Sequence, residues 1–70
     1  MKLKINGETS EIKEEAISVT ALLTLKEVKM PDMVTVELNG DILDRSAFDS
    51  TQVKEGDEVE FIYFMGGGSV

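Results

Sequence analysis

Cysteine and histidine are both missing from this 70-residue sequence. Without cysteine no disulfide or thiolate metal site can brace so small a domain, and its stability has to come from one apolar core. Without histidine the usual general base, the commonest metal ligand and most nucleophile-activating pairs are gone. This argues against an autonomous hydrolase. Proline occurs once, and no apolar run reaches the ~18 residues of a membrane-crossing helix. The N-terminus lacks the basic-then-apolar layout of a secretion signal, so the expected compartment is the cytoplasm. Basic residues are few: 7 against 14 acidic ones, a formal charge of −7. That balance repels phosphate backbones and anionic lipid, which makes nucleic acid and membranes poor partners. Many of the acidic residues (Asp32, Glu37, Asp41, Asp44, Asp49, Glu55, Asp57, Glu58, Glu60) fall between Asp32 and Glu60, mostly in the second half. Most of them solvate the surface, and together they would steer that half toward a basic protein.

Apolar residues make up 41% of the chain, enough for one small domain. Lys2-Leu3-Lys4-Ile5 alternates with period two, and Asn6-Gly7 is a strong hairpin signal. The return strand, Glu8 to Lys13, is polar apart from Ile12 and reads as an edge. From Ile17 the period becomes helical, with Val19, Leu22, Leu23 and the stem of Lys26 on one face. Ser18 is the expected N-cap and Ile17 the staple onto Leu22. The spacing predicts a helix of about ten residues that ends near Val28 or Lys29, ahead of Pro31.

Val34, Val36 and Leu38 alternate into a second Asn-Gly turn at Asn39-Gly40, with Ile42-Leu43 as the short partner strand. Arg45 to Phe48 reads as one helical turn with Phe48 plugging the core. Arg45, amid Asp41, Asp44 and Asp49, is expected to form local surface pairs. Those three aspartates do not have the alternate spacing of a Ca²⁺ loop. Val53 to Asp57 reads as a turn into the last strand, Val59 to Met65. A hairpin, a helix, a strand pair and a final strand favour first and last strands side by side and parallel, joined by a right-handed crossover. This is an α+β chain of β-grasp (ubiquitin-like) arrangement: a mixed four- to five-stranded sheet with one main helix on one face. Val59 and Phe61 would face the helix. Glu60, Ile62 and Phe64 would lie on the other face, where exposed apolar groups suit partner docking.

Behind that strand stand Gly66-Gly67-Gly68, then Ser69 and Val70. Residues 1–65 are thus expected to form the domain and 66–70 a flexible Gly-rich tail. Three glycines neither stiffen a strand nor pack a side chain, but they can enter a narrow place. On composition alone the tail is either a linker or an arm that delivers a terminal carboxyl group to another protein's active site.

Ile5-Asn6-Gly7-Glu8, Val36-Glu37-Leu38-Asn39-Gly40 with Asp44-Arg45, and Val53 to Glu60 running into Phe64-Met65-Gly66-Gly67-Gly68 together resemble the ThiS family. These are the ubiquitin-like sulfur carriers of thiamine thiazole biosynthesis. The resemblance covers essentially the whole chain. It implies a protein cosubstrate rather than an enzyme, whose last glycine, here Gly68, is adenylated and then becomes a thiocarboxylate. Implied partners are an adenylating (ThiF-like) enzyme that uses ATP, a sulfur donor protein and a thiazole synthase (ThiG-like). No cofactor or metal is implied for the chain itself, and it is expected to be a monomer alone. Ile62, Phe64, Met65, Gly66 and Gly67 are the expected partner-binding residues. The arm from Phe64 to Gly68 spans ~13 Å at ~3.3 Å per residue. Family carriers end at the last glycine, whereas Ser69 and Val70 follow here, so a processing protease is implied. A cut after Gly67 would still leave a Gly-Gly end. Alternative readings are a carrier for molybdopterin or for cysteine or homocysteine formation, and a β-grasp interaction module without covalent chemistry.

Overall fold

The computed structural model describes residues 1–63. In chain order the elements are β1 (Lys2–Ile5), β2 (Glu8–Glu11), β3 (Ala16–Ser18), α1 (Val19–Leu25), β4 (Val34–Leu38), β5 (Asp41–Leu43), a 3₁₀ turn (Arg45–Ala47), β6 (Gln52–Lys54) and β7 (Glu58–Tyr63). Five strands form one sheet in the order β2-β1-β7-β4-β5. β1 and β7 run parallel, and the other neighbours in this sheet run antiparallel. The expected β-grasp arrangement is therefore present, with its last strand in the middle of the sheet.

Both Asn-Gly turns adopt positive φ at both residues, 52° and 85° at Asn6-Gly7 and 53° and 88° at Asn39-Gly40. Such turns match the right-handed twist of the strands they join. One sheet face then supplies Leu3, Ile5, Val34, Val36 and Val59 to the core, and α1 supplies Val19, Leu22 and Leu23. Phe48 is buried and Phe61 packs against the cluster, as their positions in the pattern predict.

The helix is shorter than its periodicity suggests. It stops at Leu25 because Glu27 turns into the left-handed region at φ 57°. The Val28 amide then donates to the Leu23 carbonyl at 3.0 Å and the Glu27 amide to Thr24 at 3.1 Å. This pairing is a Schellman closure, and Val28 still packs against the core from beyond the helix end. The periodic apolar residue is kept, but the helix is not. At the other end the Ser18 hydroxyl accepts from the Ala21 amide at 3.0 Å. The Val19 and Thr20 amides donate to the carbonyls of Thr51 and Phe48, so three of the orphan donors of the first turn find partners.

Two further differences come from pairing that only the fold creates. Residues 16–18 and 52–54, where no strand is expected, form a second small antiparallel sheet in which Ile17, the expected staple, lies opposite Val53, the start of the expected turn. Three-residue strands carry too little periodicity to be read locally. The return strand β2 ends at Glu11, two residues earlier than expected, because the Ile12 amide turns to the Met1 carbonyl at 2.8 Å and its side chain enters the core. Arg45 also departs from its expected aspartate pairs. Its guanidinium donates to the carbonyls of Pro31 and Val34 at 2.6 and 3.2 Å and lies 5.6 Å above the Phe48 ring. It ties the 3₁₀ turn to the 31–34 segment that leads into β4.

A left-handed residue with a Cβ is disfavoured at a helix end, and glycine relieves that at the expense of a looser unfolded chain. Glu27→Gly is expected to stabilise the domain by roughly 0.5–1 kcal/mol. Urea denaturation would register a higher midpoint at unchanged slope; an unchanged or lower midpoint contradicts the Schellman assignment.

Candidate functional site

The sheet face turned away from α1 follows from the register. Lys4 pairs with Glu58 and Glu37 with Glu60; Ile42 lies opposite Glu37 and Ile62 opposite Thr35. Since core residues alternate with these along every strand, all of them project to the uncovered side. Ile62, the described member of the expected partner-binding set, stands there half-buried. Ile42 shares that face with 72% of its surface exposed. The sequence alone places it only in a short strand. Its alternation with core-packed Leu43 is the signal that could have placed it outward. The expected residues Phe64, Met65, Gly66, Gly67 and Gly68, and the boundary between domain and tail, lie outside the described residues.

Beside these apolar groups the face is acidic. A shallow cavity of about 240 Å³ is lined by Lys4, Gly7, Glu37, Gly40, Glu58, Val59 and Glu60. Three glutamates face one lysine there, which suits a partner that brings basic side chains to this surface. Among the described residues no group of three or more histidine, cysteine, aspartate or glutamate side chains could hold a metal ion. Likewise no helix among them is long and apolar enough to cross a membrane.

The strand that carries the tail is fixed at its base by a polar node. Asn39 Oδ1 accepts from the Glu58 amide at 2.9 Å, and the Asn39 amide donates to the Glu58 carbonyl at 2.7 Å. Asn39 Nδ2 reaches Asp57 Oδ1 at 3.1 Å, while Asp57 Oδ2 accepts from the Lys54 amide at 2.9 Å. Asp57 is only 9% exposed, and these bonds, one to each carboxylate oxygen, compensate its burial. Its carbonyl also accepts from the Lys4 amide at 3.0 Å. The node therefore joins β1, the β4–β5 turn and the start of β7. In the sequence Asn39 is legible only as a turn residue. Its second task depends on a strand 19 residues away.

Comparison with known proteins adds an independent finding. Residues 3–68 match the model of the ThiS family. The fold superposes on the crystal structure of a thiamine biosynthesis protein (ThiS) from Geobacter metallireducens with a TM-score of 0.90 and 54% identity, covering 97% of this chain and 100% of that one. The solution structure of a thiamine biosynthesis protein from the same organism gives a TM-score of 0.82 and 52% identity, over 100% of this chain and 91% of that one. A thiazole synthase from Paramagnetospirillum magneticum is 37% identical over 70 residues, 99% of this chain. The chain spans about a fifth of that relative's length (21%).

Asn39→Gly keeps the positive φ of the turn while removing both side-chain bonds and leaving Asp57 short of a donor. It is expected to lower stability by about 1–3 kcal/mol. Chemical denaturation measures this, and a loss below a few tenths of a kcal/mol would show that the node contributes nothing.

Proposed function

The chain belongs to the ThiS family, and from that premise we propose that it is a sulfur carrier of thiamine biosynthesis whose reacting atom is the carboxyl carbon of Gly68. One observation carries the reading: the family match ends at Gly68, the last of three glycines whose run begins in sequence three residues after Tyr63, the last residue of the central strand as described. A rigid root continued by residues without side chains suits entry into a partner's channel, where any side chain would stand between the carboxylate and its reactants.

The chemistry needs no acid, base or metal from this chain. Cleavage after Gly68 adds water across the Gly68–Ser69 amide and frees the carboxylate. A carboxylate oxygen attacks the α-phosphorus of ATP on the adenylating enzyme, pyrophosphate leaves, and Gly68 becomes a mixed anhydride with AMP. A sulfide-level nucleophile from the sulfur donor adds to the carbonyl carbon and expels AMP, which leaves a thiocarboxylate. If the sulfur arrives as a persulfide, a thiol must reduce the resulting acyl disulfide. The thiocarboxylate is ionised at neutral pH and offers a soft sulfur nucleophile to the next enzyme.

A thiazole synthase is the acceptor in this reading. A relative named thiazole synthase with a matching segment within its own chain supports that choice. The acidic face with Ile42 and Ile62 is the docking surface for the activating enzyme, which would meet it with basic and apolar groups.

Protein ending at Gly68 should form an acyl-adenylate with ATP and the adenylating enzyme, read as pyrophosphate release and as the adenylate mass. Protein that retains Ser69 and Val70 should form none. Adenylation of both forms, or of neither, would remove Gly68 as the reacting residue. Ile62→Thr retains strand preference on an uncovered face. It should raise the KM for the carrier about tenfold, as loss of an apolar contact of roughly 1–2 kcal/mol implies. Steady-state kinetics beside an unchanged melting curve test this; an unaltered KM removes Ile62 from the interface.

A further inference from the structure

β7 is flanked unequally. On one side β4 accompanies it to its end, with Val34 opposite Tyr63. On the other side β1 pairs only as far as Ile5 opposite Val59. Beyond Val59 the main chain of β1 turns away into the Asn6-Gly7 hairpin, and the last residues of β7 would face that side without a donor or acceptor. Asn6 takes over there. Its amide donates to the Val59 carbonyl at 3.0 Å, and its Oδ1 accepts from the Phe61 amide at 2.8 Å across 55 residues of sequence. The side chain thus continues the β1 edge by one more hydrogen bond, beyond the last backbone pair between β1 and β7.

We propose that Asn6 is a positioning residue of the carrier reaction, which holds the Phe61 amide and so fixes the part of β7 that precedes the tail in sequence. This rests on the carrier reading. A glycine run on a fixed root reaches a partner's channel at a higher effective concentration than one on a fraying strand, and less ordering is left for the binding step. The hairpin alone does not require asparagine at this position, since glycine and aspartate also adopt its positive φ. Only a side-chain acceptor adds the bond to Phe61. The same residue therefore serves the turn through its backbone and the tail through its amide oxygen.

Two variants separate these tasks. Asn6→Gly keeps the turn and removes the acceptor, whereas Asn6→Asp keeps both. In protein ending at Gly68, Asn6→Gly should speed hydrogen exchange of the Phe61 amide about tenfold, leaving exchange in α1 near the wild-type rate. It should also raise the KM for the carrier in adenylation roughly three- to tenfold, with kcat within about twofold. Asn6→Asp should return both quantities toward wild type. An Asn6→Gly protein whose Phe61 exchange or KM equals that of wild type overturns the proposal. So does Asn6→Asp behaving like Asn6→Gly, which would assign the effect to the turn. If wild-type protein ending at Gly68 is itself not adenylated, the carrier reading falls and this inference with it. Adenylation of wild type with an unmoved Asn6→Gly variant removes this inference alone.

Discussion

The parallel contact between β1 and β7 is the constraint on which the rest depends. It brings residues 4 and 5 against residues 58 and 59, so nearly the whole described chain has to be folded between the two strands. Closing so long a loop costs conformational entropy before it returns any contact. The return is the core: α1 crosses the sheet, and Leu3, Ile5, Val34, Val36 and Val59 are covered by Val19, Leu22 and Leu23. With the last strand in the centre, the tail-bearing element has a neighbour on each side. A terminal segment that must present a reacting group gains most from such a position, because ends attached to edge strands fray.

Polar side chains complete what the apolar core begins. Hydrophobic burial fixes which face of each strand turns inward but is indifferent to where along the sheet a strand stops. The ends of β7 are set by asparagines. Asn39 holds its first residue to β4, and Asn6 holds Phe61 where β1 has ended. Both sit in turns that need positive φ, where asparagine is among the few side chains tolerated. Each thus combines a backbone requirement with a long-range hydrogen bond. Asp57, buried beside Asn39, links this arrangement to the turn that precedes β7.

The missing residue types fit this division of labour. In the proposed carrier function, a reactive group that is a backbone carboxyl has no use for a histidine base or a cysteine nucleophile, and the adenylating partner would supply the groups that bind ATP. What the chain contributes is placement: a five-stranded sheet, an uncovered acidic face with Ile42 and Ile62, and a glycine run that follows the central strand in sequence. Arg45 belongs to the scaffold and not to this surface, since its guanidinium is occupied by the carbonyls of Pro31 and Val34.

Local order was legible in the sequence because it depends on neighbours within a few positions. Alternation gave β1 and β4, the Asn-Gly pairs gave two turns, helical spacing and Ser18 gave the start of α1, and the glycine run with its preceding strand marked the candidate site. The tertiary structure decided what depends on groups far apart in the chain. It ended the helix at Leu25 by turning Glu27 left-handed, paired residues 16–18 with 52–54, exposed Ile42 and moved Arg45 from its aspartates to backbone carbonyls. Above all it gave Asn6 and Asn39 their partners on β7. A turn residue's φ is written into its own dipeptide, whereas its side chain bonds with whatever strand the fold lays beside it.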